Sequence, residues 1–470
     1  MKVNLNRMEF LKVSVSALAV VGVFALEART FEVAAWRGET VVARIPDFAE
    51  LGKVPEGLAV RFGVLKPVKY APSGESLQRL EVYDRVKWNS DDDGPRIAEV
   101  TVPADAKPGT YACGMMSIRV VDRVLPPAKE WKYYLDLWQH PWATARVAGV
   151  KPFSKEHYAA MRPVYELLAT AGQKTITVPI LDQPWDHQCF DAYHSMVDDA
   201  DFRTFDEYVQ FCLDCGLGPD ISCYSLCPCV LGMEIDADKL EKRWGAFLDR
   251  FTKHLKEKGW YERTLMAMDE RAPEDVKRVS EFVRRHAPGM RISMAGNRKP
   301  SDYDGIDIGI YSQSLAYMAD GFPGEIPSRR AKGFVTTFYV SCEPACPNTF
   351  MSSGPGEAFW LGAYPAMVGF DGFLRWAWNS WPQNPKKDAS YSNWPAGDTF
   401  LCYPDGEPSW RFLELRNGII AAEKIRQLRE SGLFGDEIAK VAALYKASEA
   451  VANKSDFVKI RKLTLDLVNL

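Results

Sequence analysis

Short apolar runs alternate with helical patterns from Ser154 to about residue 430. The eight runs lie at 175–181, 221–226, 264–270, 291–295, 306–313, 334–341, 372–378 and 399–403. Such alternation predicts a (β/α)8 barrel, which we place at residues 132–430. A doubly wound sheet is the competing architecture, but no G-x-G-x-x-G sequence follows the first strand, so the barrel is favoured.

The regions on either side of the barrel have different patterns. Residues 30–131 are rich in Val, Pro and Gly and contain strand-like runs such as Thr40–Ile45 and Met116–Val120, which predict an antiparallel β-sandwich. Residues 431–470 read as a helical tail. At the N-terminus, residues 1–28 place Lys2 and Arg7 before an apolar segment, a pattern typical of a secretory signal. We therefore expect export to the periplasm or the medium, with an ordinary amphipathic first element as the alternative.

Composition narrows the class of partner. The net charge is −4 and no basic stripe occurs, which argues against nucleic acid or an anionic membrane surface as the main partner. Beyond the N-terminal segment, no stretch is apolar enough to span a membrane. A small molecule or a neutral polymer is the expected ligand.

We expect no cofactor and no metal. The ten cysteines suggest mostly free, buried thiols. A zinc site formed by Cys212 and Cys215 with Cys227 and Cys229 is the alternative, although the chain has no regular pair of C-x-x-C knuckles. The acidic run 91–94 lacks the spacing of a calcium loop and reads as a solvated turn.

The strand ends share one chemical character. In a (β/α)8 barrel the C-terminal ends of the strands meet at one face, where catalysis takes place. The residues at these ends are carboxylates, amides, hydroxyls and aromatic rings: Asp182, Gln183, Trp185, Tyr224, Ser225, Asp269, Glu270, Asn297, Ser312, Gln313, Tyr339, Trp376, Trp378, Asn379 and Tyr403. Amides and carboxylates bind sugar hydroxyl and acetamido groups, while aromatic rings cover the apolar faces of sugars. The set therefore favours a carbohydrate ligand.

Asp269 and Glu270 are adjacent at the end of the uncharged run LMAM. Neighbouring strand residues point to opposite faces, so both acids can serve one site only if the strand ends and turns there. Two carboxylates are the usual equipment for cleaving a glycosidic bond, but in a double displacement they commonly lie on different strands. Adjacent acids suit a 2-acetamido sugar that supplies its own nucleophile. The simpler reading is an acidic pair at a helix N-terminus.

Several motifs give the chain a family resemblance. The segments MDER at 268–271, YVSCEPACPNTF at 339–350, GFLRWAWNSWP at 372–382 and WPAGDTFLCYP at 394–404 resemble glycoside hydrolase family 123. Segments 135–146, 161–177 and 410–425 are similar to the same family, so that the likeness covers most of residues 100–430.

The resemblance implies a retaining β-N-acetylgalactosaminidase with a β-sandwich before a (β/α)8 barrel. By this likeness Asp269 orients and stabilises the acetamido group, and Glu270 acts as general acid and then as base. The sugar-binding positions implied less directly are Trp185, Tyr224, Asn297, Tyr339, Arg375, Trp378 and Asn379.

Two alternatives remain open. One is a glycosidase that pairs Asp269 or Glu270 with a distant carboxylate such as Glu343 or Asp371 in a double displacement. The other is a barrel that binds carbohydrate without cleaving it.

Overall fold

The computed structural model describes residues 30–47, 49–72, 78–182, 191, 194–197, 201–226, 240–303, 305–318, 322–391, 394–448 and 454–470. The predicted signal at 1–28 lies outside these ranges, as do Trp185, Cys227 and Cys229. The seven described cysteines, of which five are buried, form no disulfide.

Two β-sheets form the N-terminal region. Their strands are β1 (Phe31–Arg37), β2 (Thr40–Arg44), β3 (Ala59–Tyr70), β4 (Leu80–Trp88), β5 (Arg96–Thr101), β6 (Gly109–Cys113) and β7 (Met116–Val124). One sheet has the order β2-β5-β3-β4 and is antiparallel, and the other has the order β1-β7-β6. The pair β1 and β7 is parallel, whereas β6 and β7 are antiparallel. Val33, Ile118 and Val100 are buried in one apolar cluster, so that alternate residues of both sheets build this core.

Eight parallel strands follow and confirm the predicted barrel. They are β8 (Tyr134–Leu137), β9 (Thr175–Pro179), β10 (Asp220–Tyr224), β11 (Thr264–Asp269), β12 (Arg291–Gly296), β13 (Ile310–Ser314), β14 (Val335–Tyr339) and β15 (Gly372–Arg375). Their order in the sheet is β8-β15-β14-β13-β12-β11-β10-β9.

Glutamine side chains complete the seam between β8 and β9. The backbone N–H of Lys174 donates to Leu135 O at 2.9 Å, and the N–H of Leu137 donates to Gln173 Oε1 at 3.0 Å. Further toward the C-terminal ends of the two strands, Gln139 Oε1 accepts from the Thr177 N–H at 2.8 Å. These amides satisfy backbone groups that a regular strand ladder would otherwise pair.

The barrel strands correct one sequence prediction. Segment 399–403 is not a barrel strand, because it makes only single bridges, Asn379 with Phe400 and Cys402 with Pro408. Its place in the barrel is taken by β8, which is short and lies where the sandwich joins the barrel.

Helices surround the strands. They are α1 (Pro141–Ala148), α2 (Lys155–Ala169), α3 (Arg203–Asp214), α4 (Ala246–Glu257), α5 (Pro273–His286), α6 (Ile326–Ala331), α7 (Glu357–Val368), α8 (Trp410–Glu430), α9 (Gly435–Ser448) and α10 (Lys454–Val468). Helix α5, directly after the Asp269-Glu270 pair, starts with Pro273, has acids in its first turn and ends in three basic residues, which suits the helix dipole. None of the helices in the described ranges is long and apolar enough to cross a membrane.

Helix α8 ties the sandwich to the barrel through buried ion pairs. Lys424 Nζ lies 2.5 Å from Glu39, and Arg416 lies 3.0 Å from Glu99; all four side chains are nearly inaccessible. Because breaking a buried pair leaves an uncompensated charge, such pairs fix the relative position of the two layers.

Side chains inside the barrel form stacked layers. At the bottom, Tyr134, Leu265 and Ile310 pack together. At the top, the cluster contains Trp138, Tyr224, Ala267, Ala295, Tyr339 and Leu374, with Trp376 packed against it. The top layer forms the floor on which a site at the C-terminal strand ends is built.

Candidate active site

Asp269 and Glu270 face the same pocket. Strand β11 ends at Asp269, and Glu270 has a φ of 47°, in the left-handed region. The Glu270 N–H still donates to Ala295 O at 2.8 Å, so the backbone is held to β12 while it turns. Both acids therefore line one cavity instead of pointing to opposite faces of the strand.

The pocket has a volume of about 220 Å³. It is lined by the two acids and by Trp138, Ala295, Tyr339, Ser341, Cys342, Leu374, Trp376 and Trp394. Pockets for drug-sized ligands measure roughly 300–1,000 Å³, so this one fits a single sugar ring. Four aromatic rings around two carboxylates provide apolar surface for the ring face and acceptors for its polar groups.

Tyr339 fixes Glu270. The Tyr339 hydroxyl donates a hydrogen bond to Glu270 Oε1. Burial, and then the charge of Glu270, raise the pKa of Tyr339 far above its usual range. The phenol therefore stays protonated at neutral pH and can donate to Glu270.

Asp269 lies in a different environment from its neighbour. It is only partly exposed, at the pocket, whereas Glu270 is exposed. Desolvation, followed by repulsion from Glu270, raises the pKa of Asp269 to about 7, against a smaller opposing effect of Arg271. Two carboxyl groups with different surroundings are suited to two different tasks.

A buried ion pair positions Trp376. Arg375 and Asp398 are fully buried and lie 2.6 Å apart. The second oxygen of Asp398 accepts from Trp376 Nε1 at 3.2 Å, and the Trp376 carbonyl lies 3.2 Å from His140 Nε2. Burial lowers the pKa of His140 to about 3, so the neutral ring donates to that carbonyl. Trp376 is thus held from two sides and presents its ring to the pocket.

Of the residues predicted to bind sugar, Tyr339 lines the pocket. Tyr224 belongs to the same top cluster as Trp138, with its ring 4.7 Å from that of Trp138, but it is not among the residues that line the pocket. Asn297 follows β12 and is exposed, outside the pocket lining. Trp185 lies outside the described residues.

The remaining three nominated residues are buried beside the pocket and not in it. Arg375 forms the ion pair with Asp398. Asn379 holds the His140 backbone, accepting from its N–H at 2.8 Å and donating to its carbonyl at 3.1 Å. Trp378 is fully buried and packs edge-on against Phe412 at 4.8 Å. In this structure these side chains support the pocket wall and offer no surface to a ligand.

Sequence reasoning did not nominate three of the rings that line the pocket, Trp138, Trp376 and Trp394. Trp138 directly follows β8, so recognition of that short strand would have placed it at a strand end. Trp376 was among the strand-end residues, but its neighbour Trp378 was nominated in its place. Trp394 begins the motif at 394–404 but follows no barrel strand; it belongs to the segment after β15 and packs 5.7 Å from Trp376.

The two carboxylates considered as distant partners lie elsewhere. Asp371 precedes β15, accepts from the Thr336 N–H and pairs with Arg330 at 2.7 Å, at the end of the barrel opposite the pocket. Glu343 lies at the pocket end but is exposed and accepts from the Tyr317 hydroxyl at 3.0 Å. Within the described ranges, no group of three or more His, Cys, Asp or Glu residues could hold a metal ion.

Comparison with protein families finds one match, to the catalytic domain of glycoside hydrolase 123, over residues 138–428. No curated protein sequence matches the chain.

Among solved structures, a family 123 glycoside hydrolase from Clostridium perfringens, studied for the details of glycolipid glycan hydrolysis, superposes with a TM-score of 0.79 at 21% identity. The match covers 94% of this chain and 93% of that one, which shows the same fold along nearly the whole length. A broad-specificity endoglucanase from Clostridium longisporum reaches a TM-score of only 0.37 at 10% identity, over 64% of this chain and 99% of the other.

Proposed function

Because the chain belongs to glycoside hydrolase family 123, we propose that it is a retaining exo-glycosidase that removes terminal β-linked N-acetylgalactosamine with assistance from the substrate. The observation that carries this proposal is the placement of Asp269 and Glu270, consecutive in sequence, at one pocket. In a double displacement the nucleophile and the acid lie on either side of the sugar. Two neighbours on one strand end are better suited to assist a nucleophile within the substrate.

In the first step the acetamido carbonyl oxygen of the bound sugar attacks C1 and forms an oxazoline-type ring. The sugar stays in the pocket without a covalent bond to protein. Asp269 accepts the acetamide N–H and stabilises the positive charge that develops there. Glu270 protonates the departing glycosidic oxygen. In the second step Glu270 takes a proton from water, which attacks C1 from the side that the leaving group vacated. The bond between C1 and the acetamido oxygen breaks, so that the acetamido group is restored and the configuration is retained.

The pocket supports an exo-acting enzyme. Its volume of about 220 Å³ suits one sugar ring, and Trp138, Trp376 and Trp394 provide the aromatic wall that the C–H faces of such a ring require. Tyr339 keeps the Glu270 carboxyl directed toward the place of the leaving oxygen. Trp138, Trp376 and Trp394 can fix the plane of the sugar ring by stacking alone, without hydrogen bonds to it.

The sugar and the location of the enzyme are proposed from the sequence. The choice of N-acetylgalactosamine follows from the family resemblance and is consistent with the glycolipid glycans on which the Clostridium perfringens relative was studied. Export is proposed from the pattern of residues 1–28 alone. The natural substrate would then be a glycan or glycoconjugate outside the cytoplasm.

A panel of aryl β-glycosides tests the proposal. The members differ only at C2, as acetamido or hydroxyl, and at C4, as axial or equatorial hydroxyl. We expect turnover of the 2-acetamido, axial 4-hydroxyl compound and at most a trace with the 2-hydroxyl analogue, because the latter has no internal nucleophile. Efficient cleavage of the 2-hydroxyl glycoside would exclude substrate assistance, and a preference for the equatorial 4-hydroxyl would reassign the sugar.

A second experiment tests the acid. In Glu270→Gln, hydrolysis of a disaccharide should fall by about 10²–10⁴-fold, whereas a dinitrophenyl glycoside, whose leaving group needs no proton, should lose much less. Equal losses on both substrates would contradict the role given to Glu270.

A further inference from the structure

Tyr317 is an exposed aromatic ring at the catalytic end of the barrel. It lies in the turn after β13 and keeps 56% of its surface accessible, more than any other aromatic residue among the exposed large hydrophobics of the described ranges. Its exposed face, at the end of the barrel where the pocket opens, offers an aromatic surface on which a sugar ring can stack.

The ring is held in place by its neighbours. The Leu315 N–H donates to Tyr339 O at 2.9 Å, which ties the turn to β14. Gln313 Nε2 donates to the Tyr317 carbonyl at 3.0 Å, and the Tyr317 hydroxyl donates to Glu343 at 3.0 Å. A ring anchored at both its backbone and its tip loses little conformational freedom when a ligand stacks on it.

The contacts of Tyr317 connect it to the pocket wall. Its hydrogen-bond partner Glu343 directly follows Cys342, which lines the pocket. The hydrogen bond with Glu343 raises the pKa of Tyr317, and the charges of Glu343 and Glu270 add to that rise. Leu315, two residues before Tyr317, is hydrogen-bonded to Tyr339, whose hydroxyl donates to Glu270. The exposed ring and the exposed carboxylate therefore stand at the margin of the pocket next to the Tyr339–Glu270 pair, whereas Trp138, Trp376 and Trp394 line its interior.

We propose that Tyr317, fixed by Glu343, forms the binding site for the sugar that leaves. This inference rests on the proposed function, in which Glu270 protonates the leaving oxygen, since the leaving group must then lie beside Glu270. A pyranose at that position would place its C–H face on the Tyr317 ring, and the remaining acceptor capacity of Glu343 would bind one of its hydroxyls. Tyr317 and Glu343 together favour glycosides whose leaving group is a sugar ring.

A comparison of two substrates distinguishes binding at Tyr317 from binding in the rest of the pocket. One is a disaccharide of β-linked N-acetylgalactosamine on a hexose, and the other is the methyl β-glycoside of the same sugar, whose leaving group is too small to reach Tyr317. Release of N-acetylgalactosamine is measured for wild type, Tyr317→Ala, Tyr317→Phe and the control Tyr83→Ala, an exposed tyrosine on β4 of the sandwich.

We expect Tyr317→Ala to lower kcat/KM for the disaccharide by about 5- to 10-fold, mainly through KM, and to leave the methyl glycoside within twofold. Tyr317→Phe keeps the ring and should recover most of the loss, and Tyr83→Ala should match wild type. An equal effect of Tyr317→Ala on both substrates, or no effect on the disaccharide, would overturn the proposal. A wild-type enzyme that cleaves neither substrate would instead overturn the proposed function, together with this inference.

Discussion

The hydroxyl of Tyr339, at the end of β14, donates a hydrogen bond to Glu270, which follows β11 three strands away in the barrel. The bond crosses the mouth of the barrel and joins a buried phenol to an exposed carboxylate. It gives Glu270 one defined orientation, which a general acid needs if its proton is to reach the leaving oxygen.

Tyr339→Phe should therefore lower kcat by about tenfold with little change in KM, because the ring still lines the pocket while the acid loses its orientation. Steady-state kinetics on a disaccharide measure the change. Tyr445→Phe removes the hydroxyl of another buried tyrosine, which contacts Thr464 in the C-terminal helices, and should leave kcat unaltered. A rise in KM with unchanged kcat in Tyr339→Phe would indicate sugar binding and no role in orienting Glu270.

The raised pKa of Asp269 predicts the pH dependence. Asp269 must be ionised to accept the acetamide N–H, and its pKa in the free protein is about 7. We expect kcat/KM to fall as the pH decreases through about 7, because the protonated fraction of Asp269 grows. The pH–rate profile of kcat/KM on a 2-acetamido substrate measures this limb. An acidic limb near pH 4, the ordinary range of an aspartate, would contradict it.

The same pKa has an opposite effect on stability. A carboxyl group whose folded-state pKa is raised stabilises the fold below the unfolded-state pKa, near 3.9, and that contribution is lost as the pH rises through the folded-state value of about 7. Asp269→Asn should remove this loss.

The free energy of unfolding of Asp269→Asn, relative to that of wild type, should rise by about 1–2 kcal/mol between pH 5 and pH 8. This value is smaller than the full pKa difference would give, because the Asp269 side chain is partly exposed and solvent screens its charge. Urea titrations at the two pH values measure the difference, and a constant difference would show that Asp269 titrates normally.

The buried pair Arg375 and Asp398 predicts a coupled effect on stability and binding. Asp398→Asn leaves the Arg375 charge uncompensated and weakens the bond to Trp376 Nε1. We expect unfolding to become easier by about 3 kcal/mol and KM to rise, because the Trp376 ring loses its anchor. Asp405→Asn, which removes a carboxylate that is 83% exposed and paired with Lys386, should change stability by about 0.5 kcal/mol or less. Similar losses in both variants would speak against a special role for the buried pair.

Much of the fold was predictable because the strands of a barrel are continuous apolar runs followed by amphipathic helices. Seven of the eight predicted runs became barrel strands. The missing strand, β8, has only four residues, and no α-helix of the described residues precedes it, so the alternation of strand and helix does not mark it in the sequence. Its barrel contacts are long-range, and local pattern does not encode them.

The site was predictable only as far as the strands extend. Asp269, Glu270 and Tyr339 line one pocket at the mouth, the place where the rule that chemistry gathers at C-terminal strand ends puts them. Beyond the strand, alternation no longer decides direction. Trp376 and Trp378 are two residues apart, yet Asp398 holds the first at the pocket while Phe412 packs against the second in the core. Both partners are distant in sequence.

The left-handed backbone at Glu270 allows a last prediction. A residue other than glycine at a φ of 47° costs about 1 kcal/mol, and the fold keeps it because the turn directs both acids into one pocket. Glu270→Gly and Glu270→Ala both lose the carboxyl and the bond to Tyr339, so they differ only in backbone preference. Glu270→Gly should be the more stable of the two by about 1 kcal/mol. At the exposed helical position Glu281, the same pair should show the reverse order, since glycine weakens a helix. Denaturant titration of the four variants measures both differences. If alanine were preferred at both positions, the turn at Glu270 would not be left-handed, and the two acids would have to reach the pocket in another way.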